Sequence, residues 1–234
     1  MIPWLGDTPA FPPTTLALRN PNGLLAAGGA LTPDWLLAAY KAGIFPWFNE
    51  GEPILWWSPD PRLVVFPDQV RITRSLRKTL RNARYEVRLD SAFAQVIQAC
   101  AEPRSHGAGT WITEDIQAAY IRMHELGHAH SVETWMDGEL VGGLYGMALG
   151  RVFYGESMFS RRTDASKIAF AHLTRFLELR NFAVLDCQMT TGHLQSLGGR
   201  EIPREAFVQM LGTLTREDRP PAPWPENGAQ APWT

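Results

Sequence analysis

Residues 131–160, SVETWMDGELVGGLYGMALGRVFYGESMFS, decide the fold. Three runs rich in β-branched and aromatic residues are divided by the turn pair Asp137-Gly138 and by a second turn at Gly150, so they read as three antiparallel strands in a meander. Downstream, SRRTDASK (160–167) leads into a helix capped by Asp164 and running to about Arg180. FAVLDCQ (182–188) follows as a strand, then a short helix around Leu194 and a last one opened by Pro203. Upstream, Thr113 caps a helix with Ile116, Tyr120, Met123 and Leu126 at helical spacing and Gly127 as its stop. Before it, LVVF (63–66) reads as a strand and Thr73 caps a short helix. YEVRL (85–89) is a further strand, and Asp90 or Ser91 caps a helix ending near Ala101. This order predicts an α+β domain built on a mixed sheet.

The first 67 residues differ in texture, holding eleven of the 18 prolines. One helix stands out there, with Thr32 as N-cap, Pro33 at N1 and Gly43 as its stop. Its apolar positions Trp35, Leu36, Ala39 and Tyr40 need a surface to pack on. These features divide the chain into a small Pro- and Trp-rich N-terminal α/β domain (1–61), a larger domain (62–212) and a flexible tail (213–234) that holds five prolines.

Across 234 residues, 22 Lys and Arg against 24 Asp and Glu give a net charge of −2, so any nucleic-acid surface must be a local patch. The apolar runs fall far short of the roughly 18 residues of a membrane helix, so no membrane association is expected. The N-terminal MIPWLGDTPAFPP lacks the pattern of a signal peptide. Two lone cysteines, Cys100 and Cys187, form no disulfide framework, which suits the cytoplasm.

Several segments bear chemistry. His124-Glu125-Leu126-Gly127-His128 matches H-E-x-x-H, a motif that needs both histidines on one continuing helix. Gly127 instead ends the apolar periodicity, so the segment reads as a His-rich helix C-terminus and no metal is expected. Arg74, Arg77, Lys78 and Arg81 are spaced to share one helix face, and Arg71, Arg84 and Arg88 extend it. Only Glu86 offsets these seven cations, so the helix reads either as a solvated face or as a grip on a phosphate backbone. Trp47, Trp56, Trp57 and Trp111 lie beside Pro and Gly, where indoles fill a core or stack on unpaired bases. Trp56 and Trp57 are adjacent, so only one can face inward. Glu156 lies on the third meander strand, while Asp186 and Gln188, two apart, share a strand face that Cys187 does not. Such groups are either hydrogen-bonded structural residues or a reactive site. Walker A, Rossmann and G-x-S-x-G patterns are missing.

PNGLLAAGGALTPDWLLAAYKAGIFPWF, ILWWSPDPR, GTWIT, AYIRMHELGHAHSVETW, LVGGLYG, FYGESMFSR, ASK and LDCQ occur in this order between about Asn20 and Met210. Together they resemble the leucyl/phenylalanyl-tRNA–protein transferase family. The resemblance implies a large domain with the acyl-CoA N-acyltransferase fold. It implies transfer of Leu or Phe, and also Met, from aminoacyl-tRNA to proteins beginning with Arg or Lys, which marks them for degradation. No cofactor is implied, and a monomer is expected. The acyl-CoA fold's glycine-rich pyrophosphate loop is replaced here by SRRTDASK, which argues against a CoA donor. By resemblance, Trp47 and Trp111 sandwich the tRNA's terminal adenine, and Leu144 and Phe153 line the amino-acid pocket. Glu156, Asp186 and Gln188 surround the reacting groups, and the patch including Arg74, Arg77, Lys78, Arg81 and Arg84 faces the tRNA backbone. An aminoacyl ester is already activated, so positioning supplies on the order of 7–11 kcal/mol at best. Proton handling by Asp186 through Gln188, or donation by Gln188 to the oxyanion, supplies the rest. A CoA-dependent acyltransferase and a non-catalytic RNA-binding module are the competing readings.

Overall fold

A computed structural model describes residues 2–103, 110–216 and 222–227. The meander is as expected: β7 (Ala129–Met136), β8 (Glu139–Leu149) and β9 (Val152–Ser160) pair antiparallel in sequence. The other strands of this sheet are β5 (Arg62–Val65), β6 (Glu86–Leu89), β10 (Val184–Gln188) and β11 (Arg200–Ile202). They give a seven-stranded mixed sheet in the order β11-β5-β10-β9-β8-β7-β6, in which β9 and β10 are parallel. The class is the α+β mixed sheet that the order of elements predicts.

A smaller four-stranded sheet holds β1 (Trp4–Leu5), β2 (Leu24–Gly28), β3 (Phe45–Pro46) and β4 (Leu55–Trp57) in the order β1-β2-β4-β3. Its helix α1 (Pro33–Lys41) buries Trp35, Leu36, Ala39 and Tyr40, the four positions that needed a surface. Trp56 is fully buried and stacks on Trp35, whereas its neighbour Trp57 is only partly buried. The N-terminal residues have their own sheet but no core of their own. Trp35, Tyr40, Phe45 and Trp56 belong to one buried cluster with Tyr120, Tyr145, Tyr154 and Phe207 of the larger unit.

Helices cover both faces of the large sheet. On the face shared with the small sheet lie α3 (Phe93–Ala101) and α4 (Glu114–Glu125). On the other lie α2 (Arg74–Asn82) and the long α5 (Ala165–Leu179), over a second buried cluster that includes Leu144, Phe153, Phe170 and Leu185. Alternation on the strands sorts these sets: Leu144 and Phe153 face α5, while Tyr145 and Tyr154 face the other way. The short α6 (Gly192–Ser196) and α7 (Arg204–Leu214) complete the fold.

Two caps differ from expectation. Helix α3 begins after Ala92 with no side-chain cap, because Asp90 is engaged elsewhere. Its Oδ1 accepts from the Ser131 N–H at 2.9 Å, and its Oδ2 lies 2.8 Å from His130 Nδ1. Asp164 precedes α5 in a left-handed conformation and caps no backbone amide; its carboxylate holds Lys167 and the Thr79 hydroxyl. Thr73 and Thr113 do cap α2 and α4, accepting from Leu76 and Ile116. The segment read as a tail is anchored in part. Residue 213 lies in α7, and Trp224 packs against the sheet, because its indole adds apolar area to the cluster under α5. Among the described residues, no helix is long and apolar enough to cross a membrane.

Candidate active site

Strands β9 and β10 part. Their pairing ends at Tyr154 and Asp186, yet β9 continues along β8 as far as Ser160. At this point β10 carries a register shift between Asp186 and Gln188, and Gln188 has a φ of 63°. The space opened is a cavity of about 390 Å³. Its apolar end is built from Leu144, Phe153, Phe170, Leu173 and Leu185. Trp47 and Trp111 stand on its wall with Glu156 and Gln188, and α6 adds His193 and Leu194. The small sheet supplies Phe45, Pro46 and Trp47, so the cavity lies where the two sheets meet.

Six of the seven residues expected around the reacting groups, the base and the amino acid thus line this one cavity. Asp186 is the seventh and does not line the cavity. Its side chain is fully buried in a two-point ion pair: Arg62 Nε donates to Oδ1 at 2.8 Å and Nη2 to Oδ2 at 2.6 Å. The Arg62 guanidinium lies 4.9 Å from the ring centres of both Phe45 and Phe207. Its Nη1 has no hydrogen-bond partner among the described residues. Asp186 Oδ1 also accepts the backbone N–H of Gln188 at 2.9 Å, tying the carboxylate to the left-handed turn. Cys187 faces away from Asp186 as the alternation predicts. That face, expected to be core, is open here because β9 has left β10, so the thiol lines the cavity. Burial, and then the charge of Asp186, raise its pKa well above the ordinary thiol value, which keeps it protonated.

Glu156 is the centre of the polar wall. Tyr40 Oη donates to its Oε1 at 2.6 Å, Tyr120 Oη to its Oε2 at 3.1 Å, and Gln188 Nε2 to Oε1 at 3.0 Å. The two tyrosine hydroxyls also touch each other. Burial raises the Glu156 pKa to about 7; the tyrosine hydrogen bonds oppose the rise and the nearby Asp186 charge adds to it. A carboxyl group balanced near neutrality in a cleft is suited to proton transfer. Gln188 donates one amide N–H to Glu156, and its carbonyl oxygen, an acceptor, has no hydrogen-bond partner among the described residues. Sequence reasoning passed over Tyr40, Tyr120 and Arg62 as site residues. The available signal was that a buried tyrosine hydroxyl or guanidinium requires a partner, and only tertiary structure names it.

The other expectations sort by position. Helix α4 ends at Glu125, and Gly127 follows with a φ of 76°, so His128 lies beyond the helix that carries His124. His124 stacks on Phe93 and its Nδ1 lies 2.8 Å from the Ala129 carbonyl. Arg74, Arg77, Lys78, Arg81 and Arg84 are all exposed, while Leu76 and Leu80 are buried beneath them. None of these five cations forms an ion pair with a described residue.

Two family models match the chain: "Leucyl/phenylalanyl-tRNA protein transferase" over residues 64–212 and "Leucyl/phenylalanyl-tRNA protein transferase N-terminal domain" over residues 29–60. Relatives named leucyl/phenylalanyl-tRNA–protein transferase include one from Azoarcus sp. (strain BH72), 70% identical and aligned over 96% of this chain and 95% of the relative. Another, from Chromobacterium violaceum, is 59% identical over 96% of each chain. Among solved structures, a GCN5-related N-acetyltransferase from Kribbella flavida covers 72% of this chain and 60% of its own, at 13% identity and a TM-score of 0.38.

Proposed function

The chain belongs to the leucyl/phenylalanyl-tRNA protein transferase family and is an aminoacyltransferase, and from that premise we propose that it transfers Leu or Phe, and also Met, from aminoacyl-tRNA to proteins beginning with Arg or Lys. The product carries a new N-terminal residue that marks it for degradation. The observation that carries this reading is the single cavity joining an apolar end, two indoles and a carboxyl–amide pair. In this reading the apolar end with Leu144 and Phe153 takes the aliphatic or aromatic side chain, Trp47 and Trp111 take the terminal adenine, and the ester lies beside Glu156 and Gln188, all of which line the one cavity. The exposed cations of α2 suit the tRNA backbone, where each phosphate neutralised adds a salt-sensitive contact. A donor delivered by charged tRNA belongs in the cytoplasm, where translation supplies it.

The chemistry follows from the groups at hand. An α-amine has a pKa near ~8 and is partly neutral at pH 7. Its nitrogen attacks the ester carbonyl, the C–N bond forms, and the C–O bond to the ribose breaks. The free carbonyl oxygen of Gln188 accepts an N–H of the amine and aims its lone pair. Glu156 takes the proton released by the amine and returns it to the departing ribose oxygen. Asp186, read from the sequence as the proton acceptor, is here a positioning residue. It does not line the cavity and is held in the buried Arg62 ion pair, and it acts by holding the turn that presents Gln188.

The test is incubation with leucyl-tRNA and an Arg-starting peptide, followed by mass measurement of the peptide. The expected result is one added residue at the Arg terminus and none on a peptide beginning with Glu. Transfer from an acyl-CoA, or RNA binding with no peptide product, would overturn the reading.

A further inference from the structure

We propose that Trp224 is a positioning residue that fixes the ring of Phe153 and so sets the depth of the aminoacyl pocket; this rests on the assignment of Phe153 to that pocket above. The ring of Phe153 lies across Gly146 of β8. A Cβ at position 146 would come within 2.6 Å of the ring's Cε1, so the ring rests directly on backbone and has no room to sink further. Within the buried cluster that also holds Leu144, Phe170 and Leu185, the aromatic ring against it is Trp224, whose centre lies 5.6 Å away at an interplanar angle of 35°.

Trp224 is itself held. It stacks on His130 with ring centres 4.1 Å apart and planes within 4°, and lies 4.6 Å from Phe176. Its backbone N–H donates to Asp90 Oδ2 at 2.8 Å. The Leu89 N–H, on the edge strand β6, donates to the Glu226 carbonyl at 2.9 Å. Residues 222–227 are therefore anchored to the sheet edge on both sides of the indole. Phe153 meets the cavity on one side and Trp224 on another. With the indole gone, the ring can swing out of the cavity, and the pocket deepens by part of a side chain. Hydrophobic pockets discriminate by such volume differences, roughly tenfold or more for one methylene.

The experiment measures kcat and KM for leucyl-, phenylalanyl- and tryptophanyl-adenosine esters with an Arg-starting peptide. Trp224→Ala is expected to raise the Phe-over-Leu and Trp-over-Leu ratios of kcat/KM by about tenfold. Trp224→Phe, which keeps a flat ring on His130, is expected to hold both ratios near the parent values. Phe153→Ala is the reference: unchanged ratios there would overturn the pocket assignment and the proposal with it. If Phe153→Ala shifts the ratios but Trp224→Ala slows all three donors equally, or changes nothing, Trp224 is structural only and the proposal fails. Should Trp224→Ala not fold by circular dichroism, Trp224→Leu decides by the same ratios.

Discussion

At Glu156 and Asp186, two carboxyl groups at and behind the cavity wall meet opposite environments. Glu156 is buried among hydroxyls, and its pKa rises from 4.5 to about 7. The folded state therefore binds a proton that the unfolded state releases near 4.5. This contribution to stability is full below pH 4.5 and is lost as the pH climbs through about 7. Glu156→Gln stays neutral at every pH, like the protonated parent, so the variant's melting temperature should exceed the parent's at pH 8 and match it at pH 4. Single-turnover transfer should fall by about 10²-fold or more and lose its pH limb near 7. Glu133 is raised to about 7 as well, so the comparison is the difference between variant and parent. Asp186→Asn should behave in the opposite way, because it leaves the buried Arg62 without its countercharge, at a cost of about 3–5 kcal/mol. A thermal melt of the two variants separates these roles: equal losses of stability would refute them. The sequence named both carboxylates as candidates but gave no means of ranking them. Arg62 lies 124 positions from Asp186, and nothing local to LDCQ announces the pair.

Helix α2 was the most legible element, since its cations, its cap and its buried leucines all follow from spacing within nine residues. It packs on α5 through Leu76 and Leu80 and leaves its cations in water. Arg77→Ala with Arg81→Ala should weaken tRNA binding and reduce the slope of log affinity against log salt by about one unit for each lost phosphate contact. Transfer from a minimal aminoacyl-adenosine donor should stay near the parent rate. Filter binding across a salt series, paired with that assay, checks it; damage to both donors alike would remove α2 from the RNA surface. Elements with remote partners were less legible. The cap of α3 was misread because Asp90 serves His130, Ser131 and Trp224, all distant in sequence. The seat of Trp224 was hidden for the same reason: five prolines suggest a loose chain, and its anchoring depends on a surface made by β6, β7 and α5.

On the scale of the whole molecule, the sequence predicted the fold class, while the strand order lay beyond local pattern. Placing β5 between β10 and β11 depends on contacts across more than a hundred residues. The shared core has a thermodynamic consequence. Trp35, Trp56 and Tyr40 pack in one cluster with Tyr120, Tyr145 and Phe207, so the small sheet has little stability apart from the large one. Thermal unfolding followed by tryptophan emission and by far-ultraviolet circular dichroism should give coincident transitions. An early loss of fluorescence alone would mean that residues 1–61 melt separately. The position of β5 also bears on how the chain is made. Leu63, Val64 and Val65 are wholly buried in the finished fold, yet among the described residues their strand partners begin at Val184 and Arg200. At about 5–20 residues per second, the ribosome takes on the order of ten seconds to deliver them. Throughout that interval a bare apolar strand trails from the exit tunnel, a binding site for holdase chaperones, and a fragment released before residue 184 keeps that strand unpaired.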